Sequence, residues 1–224
     1  MARRGKYIRA PEIFFKIIEK GKEKGIFIPL GKIARVRAGI KTGADEFFYL
    51  TSDKVTQWKI EKEYLRPVIK SPRLLRKLAI DRDDIKHFVL FVNKDKKDLI
   101  GTNVLKYIEY GEKLGLPHRA TIRRRKPWYN VGQRDPAPLL IPGIYYSRLA
   151  VYYNRAKALT DYDLYEIIPY NAEDVLTLGA LLNSTIYAVI IPIWGRGHAG
   201  GRSIEIRIYE LANMPVINLS LIHI

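Results

Sequence analysis

The chain has 224 residues, 47% hydrophobic and 28% charged, enough for one large or two small folded domains with a real core. It has no cysteine, which excludes disulfides and thiolate metal sites, and its four histidines (His87, His118, His198, His223) lack ligand spacing. Lys and Arg number 39 against 23 Asp and Glu, and the net charge of +16 favours a polyanionic partner, usually nucleic acid.

Residues 11–20 predict a short amphipathic helix, with Ile13, Phe14, Ile17 and Ile18 on one side. A lysine-bearing segment from Gly21 to Gly25 ends it, and a new unit starts at Ile26. Residues 46–51 predict an aromatic-rich strand, and residues 87–92, almost fully apolar, a central one. Residues 103–114 have a helical pattern, whereas residues 127–142 hold four prolines and a glycine and predict loop. Strands are expected over 149–153 and 164–168. Asn171 reads as an N-cap, with Glu173 and Asp174 in the first turn of an apolar helix that runs to about Tyr187. Residues 203–209 alternate strictly, setting Ile204, Ile206 and Ile208 on one face of a predicted strand. Ile33, Val36, Phe47, Val89, Leu90, Leu181 and Ile206 form the expected core. Helices and strands mix without regular alternation, so the expected class is α+β, a mixed twisted sheet packed by helices. The longest apolar run, residues 186–194, is short and broken by Pro192, so no membrane is expected as a partner. No apolar stretch follows Met1-Ala2-Arg3-Arg4, so the expected compartment is the cytoplasm.

The charge is uneven. Between Pro117 and Lys157 there are nine basic residues, among them Arg123, Arg124, Arg125, Arg134 and Arg148, and a single acid, Asp135. Trp128, Tyr129, Tyr145, Tyr146, Tyr152 and Tyr153 interleave with them. Cations that meet phosphate beside rings that stack on bases suit a nucleic-acid surface. The competing reading of the charge is a heat-adapted surface, but such surfaces add Glu along with Lys, and here the acids fall short. For the tyrosines of residues 149–153 the competing reading, plain core, is preferred.

Two motifs fail on context. Residues 195–200 fit the Gly-x-Gly-x-x-Gly pattern, but they lead into the alternating strand and not into a helix that could hold a pyrophosphate. They predict a glycine-rich loop whose Arg196, His198 and Arg202 either reach a nucleic acid or stay solvated. Asp95-Lys96-Lys97, with Asp81, Asp83 and Asp84 upstream, is weakly like a nuclease site, but it reads better as a charged turn.

Four segments in order resemble the target-recognition region of Taq-type adenine-specific DNA methyltransferases, above all the fused restriction–modification members. They are residues 5–11 (GKYIRAP), residues 29–48 from PLGKIA to GIKTGADEFF, residues 125–129 (RKPWY), and LLNS at 181–184 with YELANMPV at 209–216. The last is also similar to type I restriction specificity subunits. The resemblance implies a target-recognition type of fold, with residues 1–25 as a linker helix from a catalytic domain absent here and residues 26–218 as the DNA target-recognition domain. Residues 219–224 are expected to be a non-native tail. In the family the catalytic part binds S-adenosylmethionine and holds the flipped adenine with an Asn/Asp-Pro-Pro-Tyr/Phe motif. This sequence has no Pro-Pro dipeptide, so no catalytic residue, cofactor or metal site is expected in it.

The expected function is sequence-specific recognition of duplex DNA, alongside an adenine methyltransferase catalytic domain or subunit. The expected DNA-binding residues are Lys41, Thr42, Arg123, Arg124, Arg125, Trp128, Tyr129, Arg134, Arg148, Arg196, His198 and Arg202. The alternatives are a metal-dependent nuclease and an RNA-binding module of a tRNA-modifying methyltransferase.

Overall fold

The computed structural model describes residues 10–146, 149–197 and 203–222. Its larger half is built on a five-stranded sheet in the order Ala34–Ala38, Leu164–Pro169, Leu139–Pro142, Tyr152–Asn154 and Ala79–Ile80. All neighbours are antiparallel except the last pair, which is parallel. Side chains alternate across a strand, and here both faces are covered. Leu139 and Ile141 point into one core with Leu178, Tyr187, Ile191 and Leu211, while Leu140 points into another with Ile80, Tyr152 and Leu164. A strand buried on both faces must be apolar throughout, which explains the unbroken run of residues 139–142.

The helices Glu12–Glu23, Asp174–Leu182, Thr185–Trp194 and Ile208–Ala212 supply the first of these cores. The short strands Phe27–Pro29 and Pro215–Ile217 pair antiparallel and bring the two ends of the unit together. Packing continues to Leu219, 3% exposed, one residue beyond the expected boundary. On the first helix Phe14 and Ile18 face the core, whereas Ile13 and Ile17 are 60% and 57% exposed.

The smaller half is a four-stranded sheet in the order Leu159–Thr160, Leu65–Ile69, His87–Leu90 and Tyr49–Thr51. The predicted central strand does lie between two partners, and Val89 and Leu90 are fully buried. The helix Asn103–Lys113, started by the Thr102 side chain accepting from the Leu105 N–H, packs on it through Val104, Tyr107 and Ile108. The architecture is α+β, with mixed sheets packed by helices, as expected.

Three elements differ from the sequence reading. Residues 46–51 divide into a helical turn, Asp45–Phe48, and the strand Tyr49–Thr51. The Thr42 hydroxyl bonds the Asp45 carboxylate and accepts from the Ala44 N–H, which winds the chain and sends both Phe47 and Phe48 inward. A strand would have put them on opposite faces. The expected helix of residues 171–187 is two helices that meet at 73°. Asn183 sits at the break, its amide donating to Val151 O and Gly179 O and accepting from the Val151 N–H. Asn171 lies outside the first of these helices and donates to the Asp174 carboxylate. Residues 203–209 are a strand only at Ile204–Glu205. The Glu210 carboxylate accepts from the Arg207 N–H and opens the helix Ile208–Ala212 there. Of the expected core, Phe47, Val89, Leu90 and Ile206 are buried, whereas Ile33, Val36 and Leu181 are half-buried at the edge of the larger core. Among the described residues no single helix is long and apolar enough to cross a membrane.

Candidate nucleic-acid interface

Residues 119–125 wind through successive turns, with Ile122 and Arg123 N–H groups returning to Arg119 O and Arg125 N–H to Ile122 O. Ile122 is the inward residue, fully buried against the smaller core. The segment is fixed downstream by Trp128 and Tyr129, 9% and 1% exposed. The Trp128 indole N–H donates to Glu112 Oε1 at 3.0 Å, and its ring lies 5.4 Å from Phe47. The Tyr129 hydroxyl donates to Lys94 O at 2.9 Å. Burial has pushed the Tyr129 phenol above its usual pKa. Gly111 makes room for this arrangement: a Cβ there would stand 2.6 Å from Trp128 and 2.7 Å from Phe47. The structure thus places Trp128 and Tyr129, both expected at the DNA surface, in the smaller core. Both rings pack against the core.

Thr42 is likewise turned inward: it is 1% exposed, and its hydroxyl is engaged in the turn before Asp45. Gly43, at φ 81°, completes that turn, and a Cβ would stand 2.8 Å from Thr121. The 41–44 turn and the 119–125 segment thus pack together. Arg125 joins them further, donating to Lys41 O and lying 5.8 Å over the Phe48 ring. Burial lowers the pKa of its guanidinium. Arg119 is also occupied, 2.6 Å from Glu46.

What this leaves outside is Arg123, Arg124, Lys126 and Lys41. All four are exposed, and none has an ion pair among the described residues. The Lys41 ammonium lies 5.4 Å over the Tyr162 ring.

Arg134 is turned inward. It donates to Ala38 O at 2.8 Å and stands 3.7 Å from the fully buried Glu166. Arg37 pairs with the other oxygen of Glu166 and donates to Asp135 O at 2.6 Å, and Thr160 donates to Glu166 at 2.7 Å. Desolvation lowers the Arg134 pKa, partly offset by the Glu166 charge. Arg196 is likewise engaged, donating to Glu210 at 2.8 Å and to the Tyr209 hydroxyl. Arg148, His198 and Arg202 lie outside the described residues.

Beside this surface is an open groove of about 790 Å³. The turn Pro72–Leu74 and the residues after it contribute Arg73 and Arg76 to its lining. Tyr146, Tyr162, Asp163 and Glu205 line it too, drawn from three separate chain segments. No spacing in the sequence points to this set, because its members are adjacent only across the sheets.

The fold is of a class found in restriction–modification enzymes. The structure of the type IIG restriction endonuclease BpuSI superimposes with a TM-score of 0.62 at 13% identity, over 92% of this chain and 26% of that one. The type IIL restriction-modification enzyme MmeI, solved in complex with DNA, gives a TM-score of 0.56 at 18% identity, over 81% and 25%. The chain belongs to the family of the Type II methyltransferase M.Eco57I, C-terminal domain, which matches residues 9–220. Type II methyltransferase M.AccI of Acinetobacter calcoaceticus is 29% identical over 121 residues, 51% of this chain and 22% of that protein. The chain therefore spans between 22% and 26% of the length of these relatives.

Proposed function

We propose that the chain is the DNA-recognition part of an adenine-specific restriction–modification methyltransferase, working beside a catalytic domain or subunit that binds S-adenosylmethionine. The carrying observation is the exposed group Arg123, Arg124 and Lys126 next to Lys41, on a segment whose neighbours are anchored in the core. Like charges held so close repel one another, and a polyanion relieves that repulsion. Family membership supports the reading, as does the net charge of +16. Among the described residues no group of three or more His, Cys, Asp or Glu is placed to hold a metal.

The test is a double variant, Arg123→Ala with Arg124→Ala, titrated with duplex DNA over a range of salt. Binding should weaken for all sequences alike, and the slope of log affinity against log salt should fall by about 0.9 for each phosphate that is no longer neutralised. An unchanged slope would place the DNA surface elsewhere. Calorimetric titration of the chain with S-adenosylmethionine should give no binding heat; saturable binding near one per chain would sink that part of the reading.

A further inference from the structure

We propose that Asp163 is a base-reading residue, accepting a hydrogen bond from the exocyclic amino group of an adenine or cytosine in duplex DNA laid along the Arg73–Tyr162 groove. The inference rests on the DNA-binding reading and adds the class of base edge that this groove takes.

The groove is lined mainly by donors. Arg73 and Arg76 are exposed, without an ion pair among the described residues, and Tyr146 and Tyr162 are exposed in the same lining. Such donors meet phosphate and sugar oxygens, which position a duplex without reading it. Lys41 over Tyr162 joins this lining to the cations of the 119–126 segment, so one strand can follow both.

Two carboxylates interrupt the donors, and they differ. Glu205 stands 3.2 Å from Arg207, so its charge is already met. Asp163 is exposed and has no ion pair among the described residues. Its position is nevertheless fixed through the backbone: its N–H donates to Asp161 Oδ1 at 3.1 Å, and its carbonyl accepts from the Gly143 N–H at 3.0 Å. A carboxylate held here repels phosphate, so a strand that lies in the groove must offer it a donor. On the base edges of the major groove the donors are adenine N6 and cytosine N4; guanine O6 and thymine O4 are acceptors and are rejected.

The experiment selects bound duplexes from a randomised pool with the full chain, as wild type, D163A and D163N, and sequences them. The wild type should enrich a motif in which one base pair loses its preference, by about tenfold or more, in D163A, with the other positions and the melting temperature held. D163N should move that position towards adenine, whose N6 and N7 a carboxamide meets together. A duplex carrying a base analogue without the amino group at that position should weaken wild-type binding and leave D163A unaffected. A D163A motif unchanged at every position, or equal responses of wild type and D163A to the analogue, overturns this inference alone. A wild-type chain that enriches no duplex overturns the DNA-binding reading and this inference with it.

Discussion

The 119–126 segment and the Arg37–Glu166–Arg134 cluster both concentrate arginines, yet they treat them in opposite ways. In the cluster one fully buried carboxylate holds two guanidiniums, 21% and 23% exposed, and ties the 134–135 loop to the sheet. In the segment the core takes Ile122, Trp128 and Tyr129, and Arg119 and Arg125 are bonded, so Arg123, Arg124 and Lys126 are left in solvent. The difference teaches that a count of cations along the chain says how much charge there is, not whether it is available. Availability depends on carboxylates and carbonyls contributed from distant strands.

Substitutions can break this contrast at several points. Trp128→Ala should have the largest effect, about 3–5 kcal/mol in chemical denaturation, because it removes the anchor that the exposed arginines depend on. A change within error would show that the segment is held without it. Glu166→Ala comes next, at about 3 kcal/mol, since it strands two part-buried guanidiniums and the Thr160 hydroxyl. If it melts like the wild type, the cluster is an exposed group like the 123–126 cations. Gly111→Ala sharpens the packing claim. Alanine is the better helix former, yet the crowding against Trp128 and Phe47 should make it destabilising by about 1–3 kcal/mol; a stabilised variant would contradict that crowding. The smallest stability effect is expected for Arg123→Ala with Arg124→Ala, within about 0.5 kcal/mol, because neither side chain is engaged among the described residues. That variant should change DNA affinity and little else, while Glu166→Ala should do the reverse.

The sequence carried the α+β class, the central strand at residues 87–90, the helix after Thr102 and the outward pair Arg123 and Arg124. Each of these depends on local periodicity, capping or the impossibility of burying adjacent charges. It misjudged residues 46–51, where two neighbouring phenylalanines fit a strand pattern as well as a turn, and only the Thr42–Asp45 hydrogen bond decides. It joined residues 171–187 into one helix because apolar periodicity does not register the Asn183 side chain reaching the strand region at Val151. It set Tyr129 and Thr42 at the interface and Trp128 between core anchor and base contact, since an aromatic or a hydroxyl beside arginines has the same composition whether it faces base or core.

What the sequence alone determined is the excess of positive charge, its concentration near residues 119–126 and the alternation of core-forming segments, because these are properties of residue order. Tertiary structure alone decided which cations are neutralised and which groove carboxylate has no ion pair among the described residues. Glu166 meets Arg37 across a separation of 129 residues in the chain, and Asp163 shares a groove lining with Arg73 and Arg76 only in the folded chain. Electrostatic interaction depends on distance and solvent exposure, and separation along the chain sets neither.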